Sequence, residues 1–362
     1  MIDNICFTKE WISRKAREIG RADPVLLEKT ILAFTILSGL SRSQIPFVFK
    51  GGTSLILLLK DFRRLSIDVD IVTDVPRAEY EPVLAEIGKS APFKTYAEDK
   101  RGHRGLPKRS HFKFFYNSAV TGRRDYVLLD ILEDRDFYPE TQVVPIRASI
   151  LELEKESKVR VPVLECLLGD KLTAFAPNTI GVPYRPLLSM QIIKQLFDIG
   201  ELFGVVEDLG LVMRSYEAIA QAEIGYRENK FTYSESVEDT LQSAIKACSL
   251  GVRGFKRDAR SEFLMEGIKK IGTHMVQGRF NVNDAQVTAS RVALLAALVK
   301  SGEGKRNLRD LRWKPENIVR LDSISLIGPL ERFNRVKATL PEAFYNLHMA
   351  QSLLGVKGNA GL

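Results

Sequence analysis

The chain has 362 residues, 45% of them hydrophobic, enough to bury a sizeable core, and its length favours about two domains. No uninterrupted apolar run approaches the roughly 18 residues of a membrane span, and MIDNICFTKEWISRKAREIG lacks the basic-then-apolar order of a secretory signal, so a cytoplasmic protein without a membrane partner is expected. A net charge of +8 points to a polyanionic partner, RNA or DNA ahead of an anionic membrane; ordinary solubilising charge is the plainer alternative.

Residues 9–40 read as helical, with Asp23 as an N-cap and Pro24 in the first turn. Leu26, Leu27, Thr30, Ile31, Phe34 and Leu37 then form an apolar stripe at helical spacing. Residues 45–49 make a short strand that runs into Gly51-Gly52, 55–59 a short helix, 66–73 a strand and 77–90 a helix. Two more strands, 111–116 and 126–132, flank a turn at Thr121-Gly122. Beyond about 160 the pattern turns helical, over 164–175, 190–203, 209–224, 237–247, 258–270 and 284–300. The segment after Pro315 is helical too, broken near Gly328-Pro329 and Pro341. The expected class is α+β: an α/β domain over 1–158 and a helical domain over 159–362.

The chemistry concentrates in FVFKGGTSLILLLKDFRRLSIDVDIVTD, residues 47–74. Asp68 and Asp70 alternate with Ile67, Val69 and Ile71, so on a strand both carboxylates share one face. Two like charges so close call for a cation between them, which is the chemistry of Mg²⁺ (or Mn²⁺) bridging a nucleoside triphosphate. A half-exposed edge strand with solvated aspartates is the bland alternative. What lifts the pair above it is the upstream Lys50-Gly51-Gly52-Thr53-Ser54. Glycines let backbone N–H groups approach phosphate oxygens, a helix beginning near Ser54 aims its positive end at them, and the Ser54 hydroxyl is a candidate phosphate donor. The layout is similar to a polymerase-β-like nucleotidyltransferase site. Asp130, in the otherwise apolar YVLLDIL, is the candidate third metal carboxylate. Three scattered cysteines without a CxxC, and only four histidines, suggest neither zinc nor histidine-dependent chemistry.

With KGGTSL (50–55), RLSIDVDI (64–71), GDKLTAFAPNT (169–179) and KQLFDIG (194–200) in this order, the chain resembles the AbiEii/AbiGii nucleotidyltransferase toxins, which include the MenT toxins. The resemblance covers roughly 45–200; the C-terminal third shares only helical character. It implies transfer of a nucleotide from an NTP to an acceptor, expected to be a tRNA 3′ end. It makes Asp68 and Asp70 metal ligands, gives Lys171 the triphosphate and makes Asp198 an essential carboxylate. It also implies a cognate antitoxin, of the winged-helix DNA-binding type in many members. The chain departs from the family where Ala176-Pro177-Asn178 replaces an arginine after KLxA; Arg185 is a candidate substitute.

Leu164, Leu168, Lys171 and Phe175 share a helical face, so Lys171 leaves an apolar stripe and should meet acids or phosphate, unless it snorkels at a domain rim. Asp198 lies with Lys194, Gln195 and Glu201 on a polar stripe, where a solvated Lys194–Asp198 pair competes with a site role. Either Asp130 or Asp198 would position or deprotonate the acceptor hydroxyl. Lys50 and Arg64 flank the core motifs as phosphate contacts or rim charges. Residues 99–113 (DKRGHRGLPKRSHFK) read as a mobile loop between helix and strand, with Arg101, Arg104, Lys108 and Arg109 tracking an RNA backbone; a solvated loop is the alternative. Arg253, Lys256, Arg257 and Arg260 form a second basic patch. A protein or small-molecule hydroxyl as acceptor, and a catalytically silent nucleotide-binding module, remain the competing functions.

Overall fold

The computed structural model describes residues 1–100, 107–317 and 321–355. Arg101 and Arg104 lie outside the described residues. The chain divides into two compact units, Met1–Val163 with Thr273–Arg279, and Leu164–Gly272 with Phe280–Leu362.

The first unit contains helices α1 (Lys9–Glu18), α2 (Pro24–Arg42), α3 (Gly51–Leu58) and α4 (Arg77–Lys89). Its strands are β1 (Val48–Lys50), β2 (Val69–Thr73), β3 (Phe93–Glu98), β4 (Arg109–Asn117), β5 (Arg124–Glu133), β6 (Thr141–Pro145) and β7 (Lys158–Pro162). Five strands form one sheet in the order β1-β2-β5-β4-β3, and β6 and β7 pair separately. Only β2 and β5 run parallel in the large sheet; β1–β2, β5–β4 and β4–β3 are antiparallel. One sheet face, carrying Phe49, Ile71, Leu129, Ile131, Phe112 and Phe114, is buried with Leu27, Ile31 and Phe34 of α2 and Leu84 of α4. The other face carries the polar residues described below.

Asp23 caps α2 by accepting from the Val25 and Leu26 amides, with Pro24 in the first turn as expected. By length and composition alone α2 is apolar enough to cross a membrane, although Thr30, Thr35, Ser38 and Gly39 interrupt its apolar run. Most of it is buried in the core of this unit, which is where an all-round apolar helix of a globular domain belongs.

Three strands escaped the sequence reading. In β3 only Phe93 is fully buried, and β6 has no fully buried residue, so neither shows a clean alternation. Strand β7 begins at Lys158, so the expected 158/159 boundary falls inside it. The basic stretch 99–113 follows a strand, β3, where a helix was expected, and its residues from Arg109 on already belong to β4. Segment Thr273–Arg279 belongs to the first unit because it pairs with its backbone. Leu65 donates to His274 O at 2.8 Å, Val276 donates to Arg63 O at 2.8 Å, and the Val276 side chain is buried in the core.

The second unit is helical. It comprises α5 (Leu164–Ala174), α6 (Ser189–Val205), α7 (Leu209–Tyr226), α8 (Tyr233–Cys248), α9 (Ala259–Ile271), α10 (Val282–Ser301), α11 (Leu308–Leu311) and α12 (Pro341–Leu353). A 3₁₀ segment, Gly328–Val336, precedes α12. Helix α8 starts at Tyr233, earlier than the expected residue 237, because Thr232 and Glu235 form a capping box that fixes the first turn. Asn281 and Asp284 do the same for α10. The glycine of GDKL has a packing reason. A Cβ on Gly169 would lie 2.7 Å from Tyr216 N and 2.8 Å from Val212 O, so α5 and α7 approach backbone to backbone.

Candidate active site

The site begins where β1 runs into α3. The helix starts at Gly51, earlier than the sequence suggested, and no side chain caps it. The first amides of an uncapped helix have no intrahelical acceptor and present a positive end. Gly51 has φ +79, and a Cβ there would lie 2.2 Å from Asp70 Oδ2. Only glycine allows the turn and the carboxylate to come this close. A Cβ on Gly52 would in turn lie 2.5 Å from Arg64 Nη2. Arg64 is buried, donates to Leu65 O at 3.1 Å and pairs through its backbone with Met275. Arg64 is thus packed beneath the turn, not displayed on a rim.

The hydroxyls of this turn point inward. Thr53 Oγ1 donates to Asp68 O at 2.6 Å, Ser54 Oγ donates to Gly51 O at 2.8 Å, and neither residue has exposed surface. Ser54 therefore braces the turn, in place of the phosphate-donor role expected for it. Backbone amides, with Lys50 half-buried beside them, are what the turn offers an anion.

The sheet register collects the charged side chains. Lys50 pairs with Asp70, Asp70 with Asp130, and Asp130 with His111. Directly paired residues project from the same face at a strand spacing of about 4.8 Å. The four form one row across β1, β2, β5 and β4. Their neighbours along the strands, among them Phe49, Ile71, Leu129 and Ile131, point into the core. Asp68 departs from the expected picture, because β2 begins only at Val69 and Asp68 lies in the run leading into it. Its backbone is held by Thr53 and its side chain is half-buried.

His111 is the residue the sequence reading passed over. Its Nδ1 lies 2.6 Å from Asp130 Oδ1. The signal was thin: one histidine in an alternating strand, with a partner that only the antiparallel register supplies. Among the described residues no three carboxylate, imidazole or thiolate groups converge as a metal-ligand set. The expected Asp68, Asp70 and Asp130 are therefore not found as a preformed set of three, and one oxygen of Asp130 is engaged by His111. The donor chemistry still fits a hard divalent cation. Mg²⁺ commonly takes one or two protein carboxylates and completes its shell with water and substrate phosphates. The cradle that any Cβ at Gly51 would fill lies directly against Asp70.

Of the basic residues expected to meet nucleic acid, Lys108 is exposed just before β4, and Arg109 is exposed on β4 opposite Leu132.

In the helical unit, Lys171 Nζ and Asp198 form a 3.0 Å ion pair with side chains only 6% and 2% exposed. Lys194 is buried too, so the solvated Lys194–Asp198 stripe is corrected: α6 is sunk in the unit along that side. The APNT run that departs from the family pattern is anchored on buried Asp239. That carboxylate accepts from Asn178 N at 2.7 Å, Asn178 Nδ2 at 2.6 Å and Thr179 Oγ1 at 2.9 Å. Arg185 is exposed.

A helix start left open for phosphate, set against acid-bearing strands of a mixed sheet, is the arrangement of a nucleotidyltransferase. Residues 35–272 match the model of the nucleotidyl transferase AbiEii toxin of type IV toxin–antitoxin systems, and the chain belongs to this family. It is a nucleotidyltransferase of the toxin–antitoxin class. Among solved structures, MenT4, a nucleotidyltransferase toxin from Mycobacterium tuberculosis, is similar in fold. It is 12% identical with a TM-score of 0.50, over 94% of this chain and 99% of that one. JHP933 from Helicobacter pylori is 16% identical, over 76% of this chain and 90% of that one, with a TM-score of 0.43. No curated protein matches the sequence.

Proposed function

We propose that the protein transfers a nucleoside monophosphate from an NTP to the 3′-terminal hydroxyl of a tRNA, with Mg²⁺ (or Mn²⁺) bound. The observation that carries this reading is the Asp70 carboxylate set against the uncapped Gly51 helix start. Asp68 and Asp70 would hold the ion, which supplies charge neutralisation on the phosphates. The α3 amides receive phosphate oxygens, and Lys50 and Arg64 add positive charge beside and beneath them. The acceptor oxygen attacks the α-phosphorus as the bond to the β-phosphate oxygen breaks, and pyrophosphate leaves with that electron pair. Asp130, oriented by His111, takes the hydroxyl proton. Lys171, held by Asp198, is assigned to phosphate charge. RNA is favoured as acceptor by the net charge of +8. The antitoxin is proposed to be a winged-helix DNA-binding protein on family resemblance.

The test incubates pure protein with Mg²⁺, total tRNA and each α-labelled NTP in turn, beside an Asp68→Ala, Asp70→Ala double variant. Label entering RNA only with the aspartates intact is the expected result and names the nucleotide. Label on protein or a small molecule instead would overturn the RNA acceptor and keep the transferase.

A further inference from the structure

The sheet face that bears the acid row continues past it. Along β5 and β4 the register pairs Asp130 with His111, then Leu128 with Lys113, Tyr126 with Phe115, and Arg124 with Asn117. All of these project from the acid-bearing face. Strand β2 starts at Val69, opposite Leu129, so it runs beside β5 only from there on. Beyond that point the face stays open: Tyr126 is 36% exposed, Arg124 is exposed, and Phe115, Lys113 and Leu128 are half-buried.

Its composition is specific. Phe115 and Tyr126 meet edge to face with centroids 6.0 Å apart. Arg124 lies over Phe115 at 4.4 Å, and Lys113 and Lys29 lie over Tyr126 at 4.9 and 5.3 Å. Asp99 and Asp125 hold the two lysines at 3.0 and 2.8 Å. Arg124 has no carboxylate within ion-pair range among the described residues. Aromatic rings on an open sheet, interleaved with guanidinium and ammonium groups, are the physical means of stacking unpaired bases while meeting their phosphates. The aromatic row lies two same-face steps from Asp130, roughly 13 Å at about 3.3 Å per residue.

We propose that this β4–β5 face, with Phe115 and Tyr126 as stacking groups and Arg124 as a phosphate contact, seats the single-stranded end of the acceptor RNA. The bases preceding the terminal nucleotide rest on the aromatic row, and the terminal hydroxyl reaches the acid row. This rests on the RNA-acceptor reading. It deepens that reading by naming the surface on which the unpaired end rests.

The experiment measures binding of a short single-stranded RNA, and of the same sequence fully base-paired, to the full chain and to Phe115→Leu, Tyr126→Leu and Arg124→Gln. NTP binding and thermal melting of each variant report on the nucleotide half of the site and on folding. Each aromatic substitution is expected to weaken single-strand binding about tenfold with NTP affinity retained. The arginine substitution should flatten the salt dependence by about one charge. If the wild type labels RNA but the variants bind single strands as it does, or if paired RNA binds as well as unpaired, the platform is overturned and the RNA reading stands. If the wild type labels only protein, or no RNA, both fall together.

Discussion

The two units keep their charges in opposite ways. In the α/β unit, Lys50, Asp70, Asp130 and His111 stand in a row on one face of the sheet, each of them half-buried. In the helical unit, Lys171 and Asp198 are almost fully buried and form a 3.0 Å ion pair. Desolvation makes the second arrangement expensive to break and the first cheap. Substitutions in the row should therefore remove activity and spare the fold, whereas substitutions in the pair should cost both.

The largest effect tests that contrast directly. Lys171→Ala removes the 3.0 Å ammonium partner of the buried Asp198 carboxylate and should cost about 3–5 kcal/mol in denaturant unfolding. A Lys171→Met, Asp198→Leu double variant should regain most of that stability and remain inactive. Recovery of transfer in the double variant would reduce the pair to scaffolding. Next comes Asp70→Asn, expected to lower transfer at least a hundredfold, about 2.7 kcal/mol of barrier, while the unfolding midpoint barely moves. A large loss of stability there would break the comparison, because it would mean that the row also holds the fold.

Gly51→Ala sharpens the contrast further. Its methyl group would intrude on Asp70 Oδ2, and φ +79 is unfavourable for alanine. A cost of about 1–2 kcal/mol is expected, together with weaker NTP binding measured by calorimetry. Unchanged NTP affinity would separate the turn from the nucleotide.

The smallest effect is a cap in the helical unit. Asp258 accepts from Ser261 N at 2.9 Å and pairs with Lys246 at 2.9 Å. The Lys246 ammonium, and then the Ser261 amide, hold its carboxyl well below the usual carboxylate range. A depressed carboxyl stabilises the fold above its unfolded pKa, near 4, and loses that contribution as pH falls through the folded value. Asp258→Ala should cost about 0.5–1 kcal/mol at neutral pH, the low end because the side chain is half exposed, and the difference from wild type should shrink in acid. A difference that is constant with pH would remove the cap's charge from the account.

The glycine turn, the alternation around Asp70, the N-cap at Asp23 and the helical periodicities were legible in the sequence because each is set by neighbours a few residues away. The two-unit division was legible only approximately. Nothing local marks 273–279 as belonging with the sheet; that follows from backbone pairing with 63–65. The inward turn of the Ser54 hydroxyl and the burial of Lys194 were likewise settled by what packs over them.

The sequence by itself determined the short motifs in which the proposed site residues stand: Asp68, Asp70, the Lys50–Ser54 turn, Lys171 and Asp198. Only the tertiary structure decided which of them stand together. Asp70 meets Asp130, 60 positions further along the chain, through a parallel pairing, and Asp130 meets His111 through the next register. Sheet register is a long-range choice made by the burial of one whole face, so no window of sequence contains it.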